Sequence, residues 1–310
     1  MTNISIAPPA VTDAGWEGDI PFLKLCGISN FDIAAVMECG QCFRFSRVEG
    51  SPHECEYSGV AAGRFISVGQ DGDTLTLYNV GAEDYTSRFA HFLGLDRDYA
   101  AIVRDILSRS DSDALRRAVD IGGGIRILAQ EPWEALCSFI ISQNNNIPRI
   151  RGLVRAISRE FGTPIDCRAL ASHGADATEY TFPSPEALAA AGIDALAALK
   201  TGFRAKYTYD AASRVADGRL PLPAVAAAEE ISRAAEMLMS VSGVGPKVAA
   251  CTLLFGFARL DAFPVDVWIK RVIAKYFPGE FDAAALGPFA GIAQQYLFYG
   301  ERSQAMVGGM

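Results

Sequence analysis

The chain has 310 residues, which is enough for two or three domains, and 50% of them are hydrophobic, which is typical of a globular enzyme. No run of about 18 apolar residues is present and no basic segment precedes an apolar core, so we expect neither a membrane span nor a secretory signal. The formal net charge of −8 disfavours a nucleic-acid ligand unless the basic residues cluster on one face.

The N-terminal third has the pattern of a β-sheet. Residues 1–20 contain prolines, small residues and acids, and we predict a flexible, loosely packed tail. From residue 21, three runs alternate or are rich in strand-forming residues, and Asp71-Gly72 between the last two indicates a hairpin turn; the runs are 42–47, 64–68 and 74–80. We therefore predict an antiparallel sheet in an N-terminal domain over 21–124.

The remainder is mainly helical by its apolar spacing. Residues 83–119 predict helices, and the triple glycine at 122–124 is the expected domain boundary. Beyond it we predict a helical domain over 125–310, with a loop region at 163–183. Its predicted helices start near 132 and 148 and then cover 186–199, 203–217, 225–239, 246–257, 266–277 and 288–300.

The seven cysteines are scattered and odd in number, which favours reduced thiols inside the cell over a disulfide framework. Cys39 and Cys42 form one CxxC pair, but no second pair follows at zinc spacing. We therefore predict no metal site, and nothing in the sequence calls for a cofactor.

Basic residues are concentrated in three segments that contain no acid, 142–159, 200–206 and 270–275, whereas the acidic excess lies elsewhere. We expect a local basic face on an acidic body, which would suit a phosphate-rich partner. Taken singly, each segment is also consistent with a solvated helix face.

The segment from Ser242 to Cys251 combines a Gly-Val-Gly turn with an apolar helical run. With the predicted helix before it, the segment forms a helix–hairpin–helix unit over about 225–257. Its glycines allow a sharp bend and a close approach, and the free N–H groups of the second helix suit a phosphate. Lys247 falls in the first turn of that helix.

Asp266 follows nineteen positions after Lys247, within Pro-Val-Asp-Val, and is placed to begin another helix. An amine and a carboxylate at helix starts beside a phosphate-binding hairpin indicate chemistry on a nucleic acid. From spacing alone, Lys247 could equally touch phosphate, and Asp266 could be only a helix cap.

These residues resemble those of a known family. Gly-Val-Gly-x-Lys followed by Pro-Val-Asp-Val is similar to the signature of helix–hairpin–helix DNA base-excision glycosylases. Residues 138–150 (SFIISQNNNIPRI) and 40–45 (GQCFRF) resemble the 8-oxoguanine DNA glycosylase and AP lyase branch, and the resemblance runs from about Gly40 to the C-terminus. It implies an α+β fold: an antiparallel N-terminal sheet domain with flanking helices, followed by a two-lobed all-α glycosylase domain. No cysteine follows Cys251, so the iron–sulfur cluster of some related glycosylases is not expected.

The resemblance implies that Lys247 and Asp266 are catalytic. Lys247 matches the lysine that attacks the sugar and forms a Schiff base, which requires the neutral amine. The resulting imine acidifies the sugar protons, so β-elimination can nick the strand. Asp266 matches a carboxylate that stabilises the oxocarbenium-like sugar or helps to move protons.

The resemblance also implies a pocket for a flipped base. The backbone oxygen of Gly40 matches the acceptor for N7–H, which oxidised guanine has and guanine lacks. Cys251 can alternatively be a structural thiol, and Gln294 and Phe298 can belong to an ordinary amphipathic helix. Phe255 stands where the family often has Met. The implied substrate-binding residues are Gly40, Gln41, Cys251, Phe255, Gln294 and Phe298.

DNA contacts follow from the same resemblance. Asn144 matches the residue that fills the gap left by the base, although three consecutive asparagines can also be a polar loop. Arg149 and Arg204 match the readers of the opposite cytosine, and Phe203 matches a wedge that is often Tyr. Trp268 stands where animal members carry a phosphate-contacting His. The implied DNA-binding residues are Asn144, Arg149, Phe203, Arg204, Gly243, Gly245, Val248 and Trp268.

We therefore predict an intracellular, soluble, DNA-associated and monomeric enzyme that excises 8-oxoguanine opposite cytosine from double-stranded DNA, with an AP lyase activity. One alternative is a glycosylase for alkylated bases, which typically has the Asp without the Lys. A second alternative is a non-catalytic helix–hairpin–helix protein that binds lesions.

Overall fold

A computed structural model describes residues 4–277, 279 and 281–307. Its N-terminal part is a six-stranded antiparallel sheet with the strand order β1-β2-β6-β5-β4-β3. The predicted turn at Asp71-Gly72 joins β5 to β6, where Asp71 pairs with Thr74. The strands are β1 Asp13–Glu17, β2 Ile20–Leu25, β3 Phe45–Arg47, β4 Cys55–Ala61, β5 Arg64–Asp71 and β6 Thr74–Tyr78.

Residues 4–20 are more ordered than the flexible tail predicted over 1–20. Strand β1 forms the edge of the sheet and pairs with β2 from Asp13 opposite Lys24 to Glu17 opposite Ile20. The strand is mostly exposed on both faces, so its side chains carry no alternating apolar pattern. Main-chain pairing holds it in place, and side-chain patterns do not report such pairing.

The described residues form five helices that flank the sheet or follow it, and four of them confirm the helices predicted over 83–119. Asp32 caps the first of the five by accepting a hydrogen bond of 3.0 Å from the N–H of Ala35. A π-helical turn over Tyr85–Phe89 joins α2 to α3. The helices are α1 Ile33–Glu38, α2 Ala82–Asp84, α3 Ala90–Phe92, α4 Tyr99–Ser108 and α5 Asp113–Gly122.

The rest of the chain is predominantly helical. The helix predicted over 225–239 is divided into two, because the backbone is extended at Ala228 and Glu230 although the apolar spacing continues across them. None of the described helices is long and apolar enough to cross a bilayer. The helices are α6 Pro132–Ile141, α7 Ile147–Phe161, α8 Pro185–Ala198, α9 Arg204–Ala216, α10 Leu222–Ala227, α11 Ile231–Met239, α12 Pro246–Gly256, α13 Val267–Tyr276 and α14 Ala290–Val307.

The triple glycine does not separate two packing units. Tyr99 on α4 and Leu115 on α5 precede it, yet both belong to the core of the helical body, whereas the sheet has a separate core. A Cβ atom on Gly124 would lie 2.8 Å from the backbone nitrogen of Asp32. The glycine therefore allows two backbone segments to approach closely.

The region predicted as a loop at 163–183 contains regular structure. Strands β7 (Pro164–Asp166) and β8 (Thr178–Tyr180) form a two-stranded sheet, and a 3₁₀ helix lies between them over Arg168–His173. This insertion covers the outer face of the large sheet, where Leu170 and Cys167 pack with residues such as Phe65. Its elements are too short to show a period in the sequence.

Candidate active site

A cleft of about 960 Å³ opens between the helical body and the turn after α1. The lining comes from the α6–α7 loop, the start of α12, the start of α13 and one face of α14, so distant segments of the chain meet there. Twelve of the sixteen residues predicted for the site line it: Gly40, Asn144, Phe203, Gly245, Lys247, Val248, Cys251, Phe255, Asp266, Trp268, Gln294 and Phe298.

The hairpin before α12 presents backbone donors at the edge of this cleft. Gly243 has a φ of +77°, and a Cβ atom there would lie 2.5 Å from the ring of Tyr207, so both conformation and space require glycine. Gly245 caps α12 without a side chain, and Pro246 occupies its first turn. The early N–H groups of α12, including that of the buried Val248, therefore have no partner within the helix.

The amine of Lys247 lies inside the cleft, where it is half-buried. Its Nζ donates a hydrogen bond of 3.3 Å to the hydroxyl of Ser142 and lies 5.4 Å from the centre of the Phe139 ring. Phe139 stacks on Phe255 at 5.3 Å and meets the edge of Phe43 at 5.8 Å. The three rings form an apolar floor that keeps water away from one side of the amine.

Asp266 lies close to Lys247 and Cys251. Its Oδ1 accepts hydrogen bonds of 3.0 Å and 2.8 Å from the N–H groups of Trp268 and Ile269, so it caps α13 as predicted. Burial raises the pKa of the Cys251 thiol, with the positive charge of Lys247 opposing this change and the negative charge of Asp266 adding to it. Both charges therefore act on the same buried thiol.

Gly40 occupies the turn that forms the opposite wall. Its φ is +85°, a conformation that favours glycine, and its carbonyl oxygen accepts no hydrogen bond from the residues that the structure describes. Cys39 and Cys42 on either side are buried, and burial raises the pKa of each thiol to about 11.

Gln41 does not line the cleft, contrary to the prediction that it binds substrate. Its side chain is fully buried, its Nε2 donates to the carbonyls of Val36 (3.0 Å) and Arg126 (2.8 Å), and its Oε1 accepts from the N–H of Leu128 (2.9 Å). All three of these hydrogen bonds join the side chain to backbone groups. Gln41 therefore anchors the turn that carries Gly40.

Helix α14 contributes Gln294 and Phe298 to the cleft, as predicted. Only 4% of Gln294 is exposed, yet its buried Oε1 has no hydrogen-bond partner among the described residues. Leaving a buried polar atom unpaired costs about 1–3 kcal/mol, so such an atom at the wall of a cleft marks a position for a ligand donor.

The α6–α7 loop carries Asn144 in a left-handed conformation with a φ of +48°. Arg204 holds it there: its Nε and Nη2 donate to the carbonyl of Gln143, and its Nη2 also donates to the carbonyl of Asn144 at 2.8 Å. The prediction that Arg204 faces a DNA base does not fit this arrangement, because its side chain is buried and turned toward the loop. The exposed Arg149 has one bond, of 3.5 Å, to the carbonyl of Lys200.

Some basic residues of the three basic segments have a carboxylate partner and others do not. Near the cleft, Arg149, Lys270 and Arg271 have no carboxylate partner within the described part of the chain. Arg155 and Lys275, in contrast, are neutralised by nearby acids, at 2.7 Å from Asp176 and 3.3 Å from Glu301 respectively. Three cations without a carboxylate partner among the described residues, Arg149, Lys270 and Arg271, are therefore available near the cleft.

Trp268 and Phe203 lie at the rim. Trp268 is half-buried beneath the guanidinium of Arg271, which is 5.1 Å from its ring. Phe203 is 47% exposed and its ring meets the edge of Tyr207, so an apolar face points outward beside the Asn144 loop. Exposed aromatic rings of this kind are suited to stack against bases.

Sequence reasoning missed several residues of the cleft. Phe139 and Ser142 are three positions apart at the end of α6 and share one face, so the spacing offered a signal. Gln295 offered none, because its contact with the carbonyl of Cys39 joins residues that are 256 positions apart.

Comparisons with known proteins agree with this geometry. A family model described as the 8-oxoguanine DNA glycosylase N-terminal domain matches residues 25–136, and one described as an HhH-GPD superfamily base excision DNA repair protein matches residues 137–282. A probable N-glycosylase/DNA lyase of Methanothermobacter thermautotrophicus is 30% identical over 66% of this chain and 72% of that protein. The N-glycosylase/DNA lyase of Saccharomyces cerevisiae is 38% identical over 48% of this chain, but the match spans only 41% of the yeast protein.

Solved structures extend the comparison over nearly the whole chain. The Clostridium acetobutylicum 8-oxoguanine glycosylase/lyase, in complex with double-stranded DNA containing cytosine opposite 8-oxoG, is 32% identical with a TM-score of 0.82. That match covers 95% of this chain and 99% of the other. MBOgg1, in complex with a low affinity DNA ligand, is 37% identical with a TM-score of 0.83, covering 94% and 99%.

The fold and the cleft thus define a helix–hairpin–helix protein of base excision DNA repair. Within that superfamily, the chain belongs to the 8-oxoguanine DNA glycosylase family. The family resemblance, the α+β fold class and the enzyme class expected from the sequence are confirmed.

Proposed function

We propose that this protein excises 8-oxoguanine opposite cytosine in duplex DNA through a Schiff base on Lys247 and then cleaves the strand by β-elimination. The observation that carries the proposal is the convergence of one amine, one carboxylate and one unsatisfied amide oxygen, those of Lys247, Asp266 and Gln294, on the same cleft. Two solved relatives with this fold are in complex with DNA.

Lys247 supplies the nucleophile. Its amine must be neutral when it attacks C1′ of the sugar, whereas a free lysine has a pKa near ~10.4. Lys247 lies in the first turn of α12, and the rings of Phe139 and Phe255 beside it line the cleft that the flipped base would fill. The hydrogen bond to Ser142 directs the amine into the cleft.

The attack forms a C1′–N bond, breaks the glycosidic bond, and releases the base after it takes up a proton. The adduct opens to an imine that joins Lys247 to the deoxyribose. Loss of a C2′ proton then expels the 3′ phosphate, which is the β-elimination step. Asp266 acts on the first step, because a fixed carboxylate stabilises the positive charge that develops on the sugar.

Recognition of the oxidised base rests on two acceptors. The carbonyl of Gly40 is free to accept from N7–H, a donor that oxidised guanine has and guanine lacks, and Gln294 faces the edge of the base with its unpaired Oε1. Cys251 and Phe298 line the same cleft and supply the faces that enclose the base. A site whose acceptor pairs with N7–H rejects guanine, which lacks that donor.

In this proposal the α6–α7 loop, which carries Asn144, contacts the opposite strand. Asn144 and Phe203 occupy the rim, where they can enter the gap that a flipped base leaves in the stack. Arg149 is exposed and nearly unpartnered, so it is the better candidate to donate to the acceptor edge of cytosine. Arg204 keeps the loop in its left-handed form.

Borohydride trapping tests this function. The substrates are duplexes with 8-oxoguanine opposite cytosine, and the proteins are the wild type and the Lys247→Gln variant. We expect a covalent adduct and a nicked strand with the wild type and neither with the variant. Base release that persists in Lys247→Gln would show that water is the nucleophile, and binding without release by the wild type would favour the non-catalytic alternative.

A further inference from the structure

The side chain next to Gln294 on α14 also lines the cleft and bonds the turn that forms its opposite wall. Gln295 is only 3% exposed, and its Nε2 donates a hydrogen bond of 2.9 Å to the carbonyl of Cys39, the residue immediately before Gly40. Both side chains line the cleft, but consecutive residues of a helix point about 100° apart, and it is Gln295 that bonds the turn on the opposite wall.

Two further side chains hold the same turn. Arg302, two helical turns beyond Gln295, donates from Nη1 to the carbonyl of Glu38 at 3.1 Å. Gln41, the residue after Gly40, is itself held by the three hydrogen bonds between its side chain and backbone groups. Since each peptide group is planar, fixing the carbonyl of Cys39 and the position of Gln41 constrains the orientation of the carbonyl of Gly40 between them.

A buried amide at this position is expensive unless it is paired. An apolar side chain of similar size, such as Met, would fill the same space without that cost, since Gln295 belongs to a helix packed into the core. The polar side chain is therefore accounted for by its bond to the turn and not by the packing of the helix.

We propose that Gln295 is a positioning residue that sets the selectivity for oxidised over normal guanine by orienting the carbonyl of Gly40. This inference rests on the proposed function, in which that carbonyl accepts from N7–H. Gln294 and Gln295 place the two recognition groups, one directly and one through the turn, from adjacent positions of one rigid helix. The distance between the reader of the base edge and the reader of N7 is thus set by α14.

The role of Gln295 differs from that of a general structural residue in a measurable way. An abasic site has no base, so its cleavage by Lys247 does not use the carbonyl of Gly40. A misplaced carbonyl should therefore reduce excision of 8-oxoguanine and leave cleavage of an abasic site unchanged. It should also narrow the difference in rate between oxidised and normal guanine.

The test compares Gln295→Met with Tyr296→Phe, a matched control on the same helix that removes a buried hydroxyl without a hydrogen-bond partner among the described residues. Single-turnover rates are measured on three duplexes that carry 8-oxoguanine, guanine or a preformed abasic site opposite cytosine. We expect Gln295→Met to lose about 10-fold in the ratio of 8-oxoguanine to guanine excision, with abasic cleavage within about twofold of wild type. Tyr296→Phe should match the wild type in all three rates.

An equal fall in excision and abasic cleavage, or an unchanged ratio in Gln295→Met, overturns the inference. Arg302→Met provides a second variant for the case in which Gln295→Met does not fold. Arg302 is partly exposed, and its substitution removes only the hydrogen bond to the carbonyl of Glu38. It should lower the ratio by about threefold, and an unchanged ratio there also counts against the role of α14. If the wild type excises no 8-oxoguanine, the proposed function itself is refuted, whatever the two variants show.

Discussion

Asp266 and Ile269 are joined by a hydrogen bond of 2.8 Å from the backbone N–H of Ile269 to Oδ1 of the carboxylate. One oxygen of the proposed catalytic side chain is thus committed to capping α13, which also fixes where the carboxylate stands at the wall of the cleft. The structural and the chemical duties of this residue can be separated, because an amide caps a helix nearly as well as a carboxylate but carries no charge.

Asp266→Asn should therefore lose activity without losing much stability. We expect excision of 8-oxoguanine to fall at least about 100-fold, while the free energy of unfolding changes by less than about 1 kcal/mol. Single-turnover excision and urea unfolding measure the two effects. Asp266→Ala removes the cap as well and should cost about 1 kcal/mol more in stability; similar stability for both variants would argue against the capping role.

Ser142→Ala should slow the chemistry of Lys247. The hydroxyl of Ser142 accepts a hydrogen bond of 3.3 Å from the amine, so its loss leaves the amine less well directed. A bond worth about 1 kcal/mol corresponds to a reduction of about fivefold in the rate of borohydride trapping. The dissociation constant for uncleaved duplex should stay within about twofold, and an unchanged trapping rate would remove Ser142 from the site.

Gln41→Met should destabilise the fold, because the variant removes three buried hydrogen bonds and leaves the carbonyl of Arg126 and the N–H of Leu128 without partners among the described residues. We expect a loss of about 3 kcal/mol in the free energy of unfolding, measured with urea. Gln130→Met is the matched control: its Nε2 makes one bond, of 2.7 Å, to the carbonyl of Gln41, and its loss should cost about 1 kcal/mol. Equal effects of the two variants would contradict the anchoring role of Gln41.

Glu56 links the stability of the fold to pH. Burial raises the pKa of this carboxyl, but hydrogen bonds from His173, Ser51 and Ser67 outweigh burial, and the net pKa is lowered. A lowered carboxyl pKa contributes stability above the unfolded value of 4.5 and loses it as the pH falls through the folded value.

The variant Glu56→Gln isolates this contribution from that of other carboxyl groups. Wild type should be more stable than the variant at pH 7, and the difference should shrink as the pH falls below about 4.5. Urea unfolding of both proteins from pH 7 to pH 3 measures the difference. A constant difference over that range would mean that Glu56 titrates as it does in the unfolded chain.

Lys270→Ala should weaken DNA binding in a salt-dependent manner. Lys270 is exposed at the rim of the cleft without a carboxylate partner among the described residues, so it can neutralise a phosphate. Removing one phosphate contact should reduce the slope of log K against log salt by about 1. Lys275→Ala, on the same helix but paired with Glu301, should leave the slope unchanged. Equal slopes for both variants would place the DNA elsewhere.

The residues of the site were more predictable from the sequence than the contacts that hold those residues in place. Lys247, Asp266 and Gly40 lie in short motifs whose residue types indicate the chemistry of the site. The structure brings all three residues to one cleft. Gln41 and Arg204 also lie in recognisable segments, but their side chains bond backbone groups and do not line the cleft. The direction of a side chain depends on which backbone groups nearby lack partners, and a linear pattern does not contain that information.

By itself, the sequence determined the elements and the chemical groups of this protein. Hydrophobic period, glycine turns and helix caps act over a few residues, so they were visible as the antiparallel sheet, the helix–hairpin–helix unit and the Lys–Asp pair. Only the tertiary structure decided that Asp13–Glu17 joins the sheet edge, that α4 and α5 pack with the later helices, and that Gln295 reaches Cys39. These features depend on hydrogen bonds and packing between segments far apart in the chain, which exist only after the fold has brought the segments together.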